Sequence, residues 1–209
     1  MNKIILLLLS ISLFLLTACV RTNLDSINDA ANTKTISRTL VVAYGMDIGE
    51  RKDVENSLVE SLIEKGVNAF SSINIFPPLR DYSDEEFSEK IDSLLIDSIL
   101  FFEVTGKSVS TAYIPPQYHA GTSHSTVNVV GNTAHVTTTQ NPSYTTGGGT
   151  IEKPVGSYSM RVNLLPDNNT IWMANGDSEG SAFHSYSSVS VEVAKEVVNM
   201  LVNDGIIAK

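Results

Sequence analysis

The chain has 209 residues, a formal net charge of −9 and one cysteine. An acidic chain lacks the excess of cations that binds a phosphate backbone, which argues against a nucleic-acid partner. The same charge argues against electrostatic adhesion to anionic lipid. The single cysteine rules out an internal disulfide, and the length is enough for one domain whose core needs none.

The first 18 residues have the pattern of a secretory signal peptide. Lys3 gives a short positive start, and an uncharged apolar run follows over residues 4–16. As a helix this run would span about 20 Å at about 1.5 Å per residue, whereas a bilayer core of about 30 Å needs about 20 apolar residues. We therefore expect residues 1–18 to be cleaved. An uncleaved anchor helix extending through Val20 is the alternative.

The apolar run ends in Leu16-Thr17-Ala18-Cys19, which contains the only cysteine. This order resembles the lipobox of bacterial lipoproteins. The resemblance implies cleavage between Ala18 and Cys19, a diacylglycerol on the sulfur and a further acyl chain, palmitate, on the new amine. Two or three acyl chains give an anchor that does not dissociate. In this family Asp after the cysteine retains the protein in the inner membrane. Val20 therefore implies the outer membrane, on the side facing the periplasm.

Residues 19–36 are polar, with few apolar side chains, and predict a flexible tether. Residues 21–36 alone would have a root-mean-square reach of about 20–24 Å. The remaining residues, 37–209, are expected to form a single α/β domain that stands off the membrane on this tether.

The first half of that domain predicts alternating strands and helices. Apolar runs predict buried strands at residues 39–44, 67–76 and 98–105. Capping boxes at Asp47–Glu50 and Ser83–Glu86 predict the starts of the two intervening helices. The apolar stripes of these helices are Val54, Leu58, Val59, Leu62 and Ile63, then Phe87, Ile91, Leu94 and Leu95.

A polar β-rich insertion is expected at residues 108–153. Its first 44 residues, 108–151, contain no Asp, Glu, Lys or Arg, and Gly131-Asn132 predicts a two-residue hairpin turn. Edge strands normally carry charge that blocks pairing with other chains, so this segment is a candidate arm for docking a partner or for self-assembly. A poorly ordered polar loop is the alternative. The candidate partner-binding residues are Tyr113, Tyr118 and Tyr144.

The rest of the chain predicts a β-hairpin and a final helix. Alternating apolar residues from Ser157 to Leu164 indicate a half-buried strand, and residues 166–169 form a turn into its antiparallel neighbour. A stripe from Val189 to Leu201 predicts a long helix that ends near Gly205.

This order of elements resembles a group of small envelope lipoproteins. The resemblance rests on a strand followed by the helix at Arg51–Glu55, then on Asn169-Thr170-Ile171-Trp172 and Asp204-Gly205-Ile206-Ile207. These are similar to the curli-secretion lipoprotein and to the outer-membrane activators of peptidoglycan synthases. An uncharacterised lipoprotein family is the alternative. The resemblance implies an anticodon-binding-like α/β (α+β) fold, with a βαβαβ core, a β-hairpin and a C-terminal helix.

The sequence predicts no catalytic residue, no cofactor and no metal site. His119, His124 and His135 lie within 17 residues, and three imidazoles can hold Zn²⁺ or Cu²⁺. However, no carboxylate or thiol accompanies them, so solvated histidines are the preferred interpretation.

The functional hypothesis is a lipid-anchored, non-enzymatic interaction module that contacts an envelope protein or peptidoglycan. Two alternatives remain. The first is a subunit of an oligomeric export or transport apparatus, which makes a homo-oligomer an open alternative. The second is an envelope hydrolase or metal-binding protein.

Overall fold

The computed structural model describes residues 20–29, 31 and 33–208. The predicted signal peptide and Cys19 lie outside the described residues. The chain divides into two compact units. One comprises the chain up to Ser110 together with the chain from Lys153 onwards, and the other is Thr111–Glu152, which we call the arm.

The described part of the chain contains ten strands and four helices, a mixed α/β architecture as predicted. The strands are β1 (Arg21–Asn28), β2 (Arg38–Tyr44), β3 (Asn68–Ser71), β4 (Ser98–Ile114), β5 (Gln117–His119), β6 (Thr122–Val130), β7 (Thr133–Asn141), β8 (Tyr144–Thr146), β9 (Gly149–Leu164) and β10 (Asn169–Glu179). The helices are α1 (Ile48–Glu64), α2 (Ser72–Ile75), α3 (Asp84–Ser93) and α4 (Tyr186–Asn203). Among these residues no helix is both long enough and apolar enough to cross a bilayer.

The first unit is built on a six-stranded sheet of order β1-β10-β9-β4-β2-β3. β2 pairs parallel with both β3 and β4, which gives the predicted βαβαβ core. β9 and β10 pair antiparallel, as the alternation from Ser157 and the turn at 166–169 predict. The long strands β4 and β9 are neighbours in this sheet, and the boundary between the two units falls within both.

The main core lies between one sheet face and helices α1 and α4. Its helical part is Val54, Leu58 and Leu62 of α1 and Val193, Val197 and Leu201 of α4. These positions recur at the spacing of one helical face. Ile63, predicted as part of the α1 stripe, is instead 56% exposed, because it lies a quarter-turn beyond Leu62. A smaller cluster on the other face joins Leu40, Ile91, Ile96 and Ile99 beneath α3.

The two helix starts agree with the sequence to different degrees. At α3 the capping box is complete: Glu86 N–H donates to Ser83 Oγ at 3.2 Å, and Ser83 N–H donates to Glu86 Oε2 at 3.1 Å. At α1 only half of the predicted box forms. Asp47 Oδ1 accepts from Glu50 N–H at 2.9 Å, while the Glu50 carboxylate bonds to distant side chains.

The tether predicted at residues 19–36 is wrong for residues 21–28, which form β1 at an edge of the sheet, paired antiparallel with β10. The hydrophobic pattern does not reveal this strand, because polar side chains fasten it. Ser26 Oγ donates to Asp204 Oδ2 at 2.7 Å, and Asn28 Nδ2 donates to Asp204 O at 3.2 Å. The folded domain therefore begins directly after Val20.

Two shorter predictions also fail. The strand expected at residues 67–76 ends at Ser71, and the chain turns into the short helix α2. The N–H of Ile73, near the start of this helix, has no acceptor within the helix and donates to the Glu55 carboxylate instead. Leu95, predicted in the second helical stripe, lies beyond the end of α3 with a positive φ of 52° and is 71% exposed.

Candidate functional site

The most heavily bonded polar group in the described core is the carboxylate of Glu55, which is fully buried. It accepts five hydrogen bonds of 2.7–3.0 Å. The donors are the N–H groups of Ala43 and Ile73, the hydroxyls of Ser71 and Ser72, and Nε of Arg51. Burial raises the pKa of Glu55, but the converging donors outweigh burial and hold the pKa below its ordinary value of 4.5. This carboxylate fastens α1 to β2, β3 and α2.

A second buried carboxylate, Glu50, ties α1 to α4 and β4. It pairs with Lys107, and its Oε1 accepts from Ser190 Oγ at 3.1 Å. Ser190 Oγ also lies 3.3 Å from the hydroxyl of Tyr158. Burial raises the pKa of Tyr158. Sequence reasoning assigned Glu50 to a helix cap and missed this network, because its partners lie 57 and 140 residues away in the chain.

Both carboxylates are committed to partners inside the fold. Their oxygens accept hydrogen bonds from donors on neighbouring elements. This arrangement stabilises the packing of α1. Exposed apolar side chains are found on one face of the sheet, at Ile27 and Met173, and on the arm.

One face of β9, β10 and β1 is not covered by a helix, and we call it the open sheet face. Its residues are Asn23, Asp25 and Ile27 of β1, Met173, Asn175 and Asp177 of β10, and Ser157, Ser159 and Arg161 of β9. All of these residues except Arg161 line a cleft of about 820 Å³, together with neighbouring residues.

Cross-strand register arranges the open sheet face in rows. In the polar row Asn23 lies opposite Asp177, whose Oδ1 accepts from Ser157 Oγ at 2.6 Å. In the apolar row Ile27 lies opposite Met173, and these side chains are 79% and 45% exposed. A surface that combines exposed apolar groups with carboxylates and amides is suited to recognition.

The apolar row continues into an aromatic cluster on β4 and β2. The guanidinium of Arg161 lies 4.5 Å from the ring centre of Phe101, whose edge meets Tyr44 at 6.5 Å between centroids. The Tyr44 hydroxyl donates to Glu103 Oε2 at 3.1 Å. Burial raises the pKa of Tyr44, and the neighbouring carboxylate raises it further. The alternation of β9 indicates that Arg161 points away from the core. It does not indicate whether a helix covers this side of the strand.

The arm consists of two separate two-stranded sheets, β5 with β8 and β6 with β7. The β6–β7 hairpin turns at Gly131-Asn132 as predicted, and Gly131 has the positive φ of 62° that such a turn requires. Every residue of both strands is exposed. Within this hairpin Val127 lies opposite Val136, and these side chains are 56% and 62% exposed.

The three tyrosines singled out from the sequence are exposed but are not gathered on one surface. Tyr113 and Tyr118 are each 69% exposed and Tyr144 is 59% exposed. Tyr144 lies opposite His119 and stacks on its ring at 4.6 Å, whereas Tyr118 lies opposite Thr145. Because successive residues of a strand point to opposite faces, Tyr118 and Tyr144 lie on opposite sides of the ribbon.

The arm does not bring its histidines together. His124 and Asn128 lie four residues apart on β6, about 13 Å along a strand, and His135 is opposite Asn128. His119 lies on β5, and its Nε2 is 2.8 Å from Thr146 Oγ1. Within the described ranges no cluster of three or more His, Cys, Asp or Glu residues is arranged to hold a metal ion.

The sequence matches no known protein family and no curated protein. Among solved structures, the PelC dodecamer from Paraburkholderia phytofirmans is similar over 90% of this chain and 99% of its own, at 12% identity and a TM-score of 0.49. Lipoprotein GNA1162 from Neisseria meningitidis is similar over 80% of this chain and 99% of its own, at 15% identity and a TM-score of 0.42. TM-scores below 0.5 do not establish a shared fold, so neither likeness assigns a function or an assembly to this chain.

Proposed function

We propose that this chain is a lipid-anchored, non-enzymatic interaction module of the bacterial envelope that binds a partner protein through strand addition to its arm. The observation that carries the proposal is the β6–β7 hairpin. Its two strands pair only with each other in their sheet, all their residues are exposed, and none is charged.

An isolated two-stranded hairpin is at best marginally stable in water. Each strand of the hairpin leaves one edge of backbone N–H and C=O groups available, and no Lys or Glu blocks it. The exposed valines at positions 127, 129, 130 and 136 add apolar contacts on both faces. A strand from a partner protein would pair with this backbone and bury those valines.

The anchor in this proposal is Cys19, at the end of the lipobox-like sequence. Acylation there would place the module at a membrane surface, and Val20 supports sorting to the outer membrane under the family rule. Replacing Cys19 with Ala should leave an unacylated, unprocessed precursor. An unchanged mass and unchanged membrane retention of the mature protein in this variant would contradict the anchor.

The docking mode is tested by a matched pair of substitutions in the full acylated chain. Val129→Lys adds a charge to the β6 strand, whereas Val129→Thr keeps a β-branched side chain that suits a strand. We expect crosslinking to the envelope partner to fall at least about tenfold in Val129→Lys, equivalent to about 1.4 kcal/mol, and to change little in Val129→Thr. Equal crosslinking in both variants would refute strand addition.

Two other outcomes separate the remaining hypotheses. Binding to purified peptidoglycan, with no crosslink to a protein, would show that the partner is peptidoglycan and not a protein. A multimer in native mass measurements that is lost in Val129→Lys would identify the partner as a second copy of this chain, as a subunit of an oligomeric apparatus requires.

A further inference from the structure

Phe183 is the most exposed of the large apolar side chains described, at 96%, yet it lies in a well-bonded turn. Ser181 N–H donates to His184 Nδ1 at 2.9 Å, Phe183 N–H donates to Ser181 Oγ at 3.3 Å, and His184 N–H donates to Ser181 O at 3.0 Å. These bonds close the turn on itself. The ring is therefore held outward instead of packing onto the domain.

The turn lies at the end of the sheet where β1 begins. Arg21, the first residue of β1, is opposite Glu179, the last residue of β10, and the turn follows Glu179. Val20 and His184 line the same cleft beside α4. Phe183 therefore directly precedes His184, the residue that shares this cleft with Val20.

In the sequence, the proposed anchor directly precedes Val20 and is joined to it by a single peptide bond. Because β1 starts at Arg21, no tether separates the anchor from the sheet. An acylated Cys19 would hold this end of the domain against the lipid headgroups. Isolated exposed aromatic residues are common on proteins, but Phe183 is distinguished by its neighbour His184, which shares a cleft with Val20.

The charges at this end are close to balanced. Lys153 Nζ donates to Glu179 Oε1 at 2.7 Å, and this bond lowers the pKa of Glu179, to which Arg21 also contributes. Glu192 and Glu196 also line the cleft, and Lys195 Nζ donates to Glu192 Oε1 at 2.7 Å. A patch with little net charge is attracted to lipid through its apolar group rather than through its charge.

We infer that the turn at residues 181–184 lies on the membrane and that Phe183 inserts into the lipid interface as a second contact beside the acylated cysteine. The inference rests on the proposed acylation of Cys19. Its consequence is that the domain has a fixed orientation on the membrane, since two contacts at one end restrict rotation about the anchor.

The test places a tryptophan at position 183 in the full acylated chain, reconstituted in phosphatidylcholine vesicles with or without brominated acyl chains. Leu79→Trp is the matched control, since Leu79 is 91% exposed and follows α2, the helix directly after β3, which is the strand at the opposite edge of the sheet from β1. The buried Trp172 gives the same background in both variants. We expect brominated lipid to quench Phe183→Trp at least about twice as strongly as Leu79→Trp, with a blue-shifted emission that marks an apolar surrounding.

Equal quenching of the two variants in protein that mass spectrometry shows to be acylated would overturn this inference and leave the proposed function standing. A chain that carries no acyl group would overturn the anchor itself. Reduced access of iodide to Phe183→Trp on adding vesicles, without a change for Leu79→Trp, would support the inference independently of bromine.

Discussion

The indole Nε1 of Trp172 donates a 2.7 Å hydrogen bond to Oδ2 of Asp204. Trp172 is the chain's only tryptophan and is almost fully buried, and Asp204 is the residue that ends α4. The same carboxylate oxygen accepts from Ser26 on β1. One side chain thus links the core of β10, the end of the last helix and the edge strand.

Replacing Asp204 with Ala should destabilise the domain. The indole N–H would remain buried without its acceptor, and an unsatisfied buried donor costs about 1–3 kcal/mol. Urea unfolding followed by Trp172 fluorescence measures the loss. Asp167→Ala, in the exposed turn between β9 and β10, is the control and should change stability by less than about 0.5 kcal/mol. Equal effects of the two substitutions would show that the link contributes no stability.

Glu55 predicts a specific dependence of stability on pH. Its pKa is lower in the folded state than its ordinary value of 4.5, so its contribution is present above that value and is lost as pH falls through the folded-state pKa. Glu55→Gln should lower the free energy of unfolding by about 3 kcal/mol at neutral pH. The reason is that the donors that now face a carboxylate would face an amide. The difference from the parent chain should shrink below about pH 4.5, as urea titrations at several pH values would show. Glu60→Gln, exposed on the same helix, should show no such convergence.

The packing of α1 is tested by two aliphatic side chains on the same helix. Leu58 is fully buried, and Leu58→Ala should cost about 2–5 kcal/mol through lost contacts and the cavity left behind. Ile63 is 56% exposed, so Ile63→Ala should cost less than about 1 kcal/mol. Thermal or urea unfolding measures both. A larger loss for Ile63→Ala would reverse the assignment of the buried face.

Replacing the arm, Thr111–Glu152, with a short Gly/Ser linker should leave the first unit folded. The strands that the linker would join, β4 and β9, are neighbours in the six-stranded sheet, and loop length changes the free energy of chain closure only slowly. Cooperative unfolding near the parent midpoint is the expected result. Loss of cooperative unfolding would instead make the arm part of the folding unit.

Much of the first unit could be predicted because its buried positions follow simple periods. Leu58 and Val193 recur with their neighbours at helical spacing, and Tyr158, Met160 and Val162 alternate along β9. These patterns arise from burial of apolar surface, which is the signal that a sequence displays most directly. The βαβαβ order and the antiparallel β9–β10 pair followed from them.

The failures share a different cause. β1 and α2 are fixed by polar contacts with distant residues: Ser26 bonds Asp204, and Ile73 bonds Glu55. Such bonds leave no period in the sequence, because a single well-placed carboxylate at long range is enough. The open sheet face could not be predicted either, since nothing in the sequence of β10 indicates whether a helix covers that face.

The way in which β1 is attached also determines how far the proposed anchor would let the domain move. Backbone bonds to one neighbour and a few polar side chains hold it, and Leu24 is its half-buried apolar contact with the core. Elements with few buried apolar contacts open at a lower free energy than the rest of a domain, so amide hydrogens of β1 should exchange before those of β9. Each opening would free eight residues, up to about 28 Å of extended chain. If Cys19 is acylated as proposed, opening of β1 would let the domain move away from the bilayer, and re-pairing of β1 with β10 would bring it back.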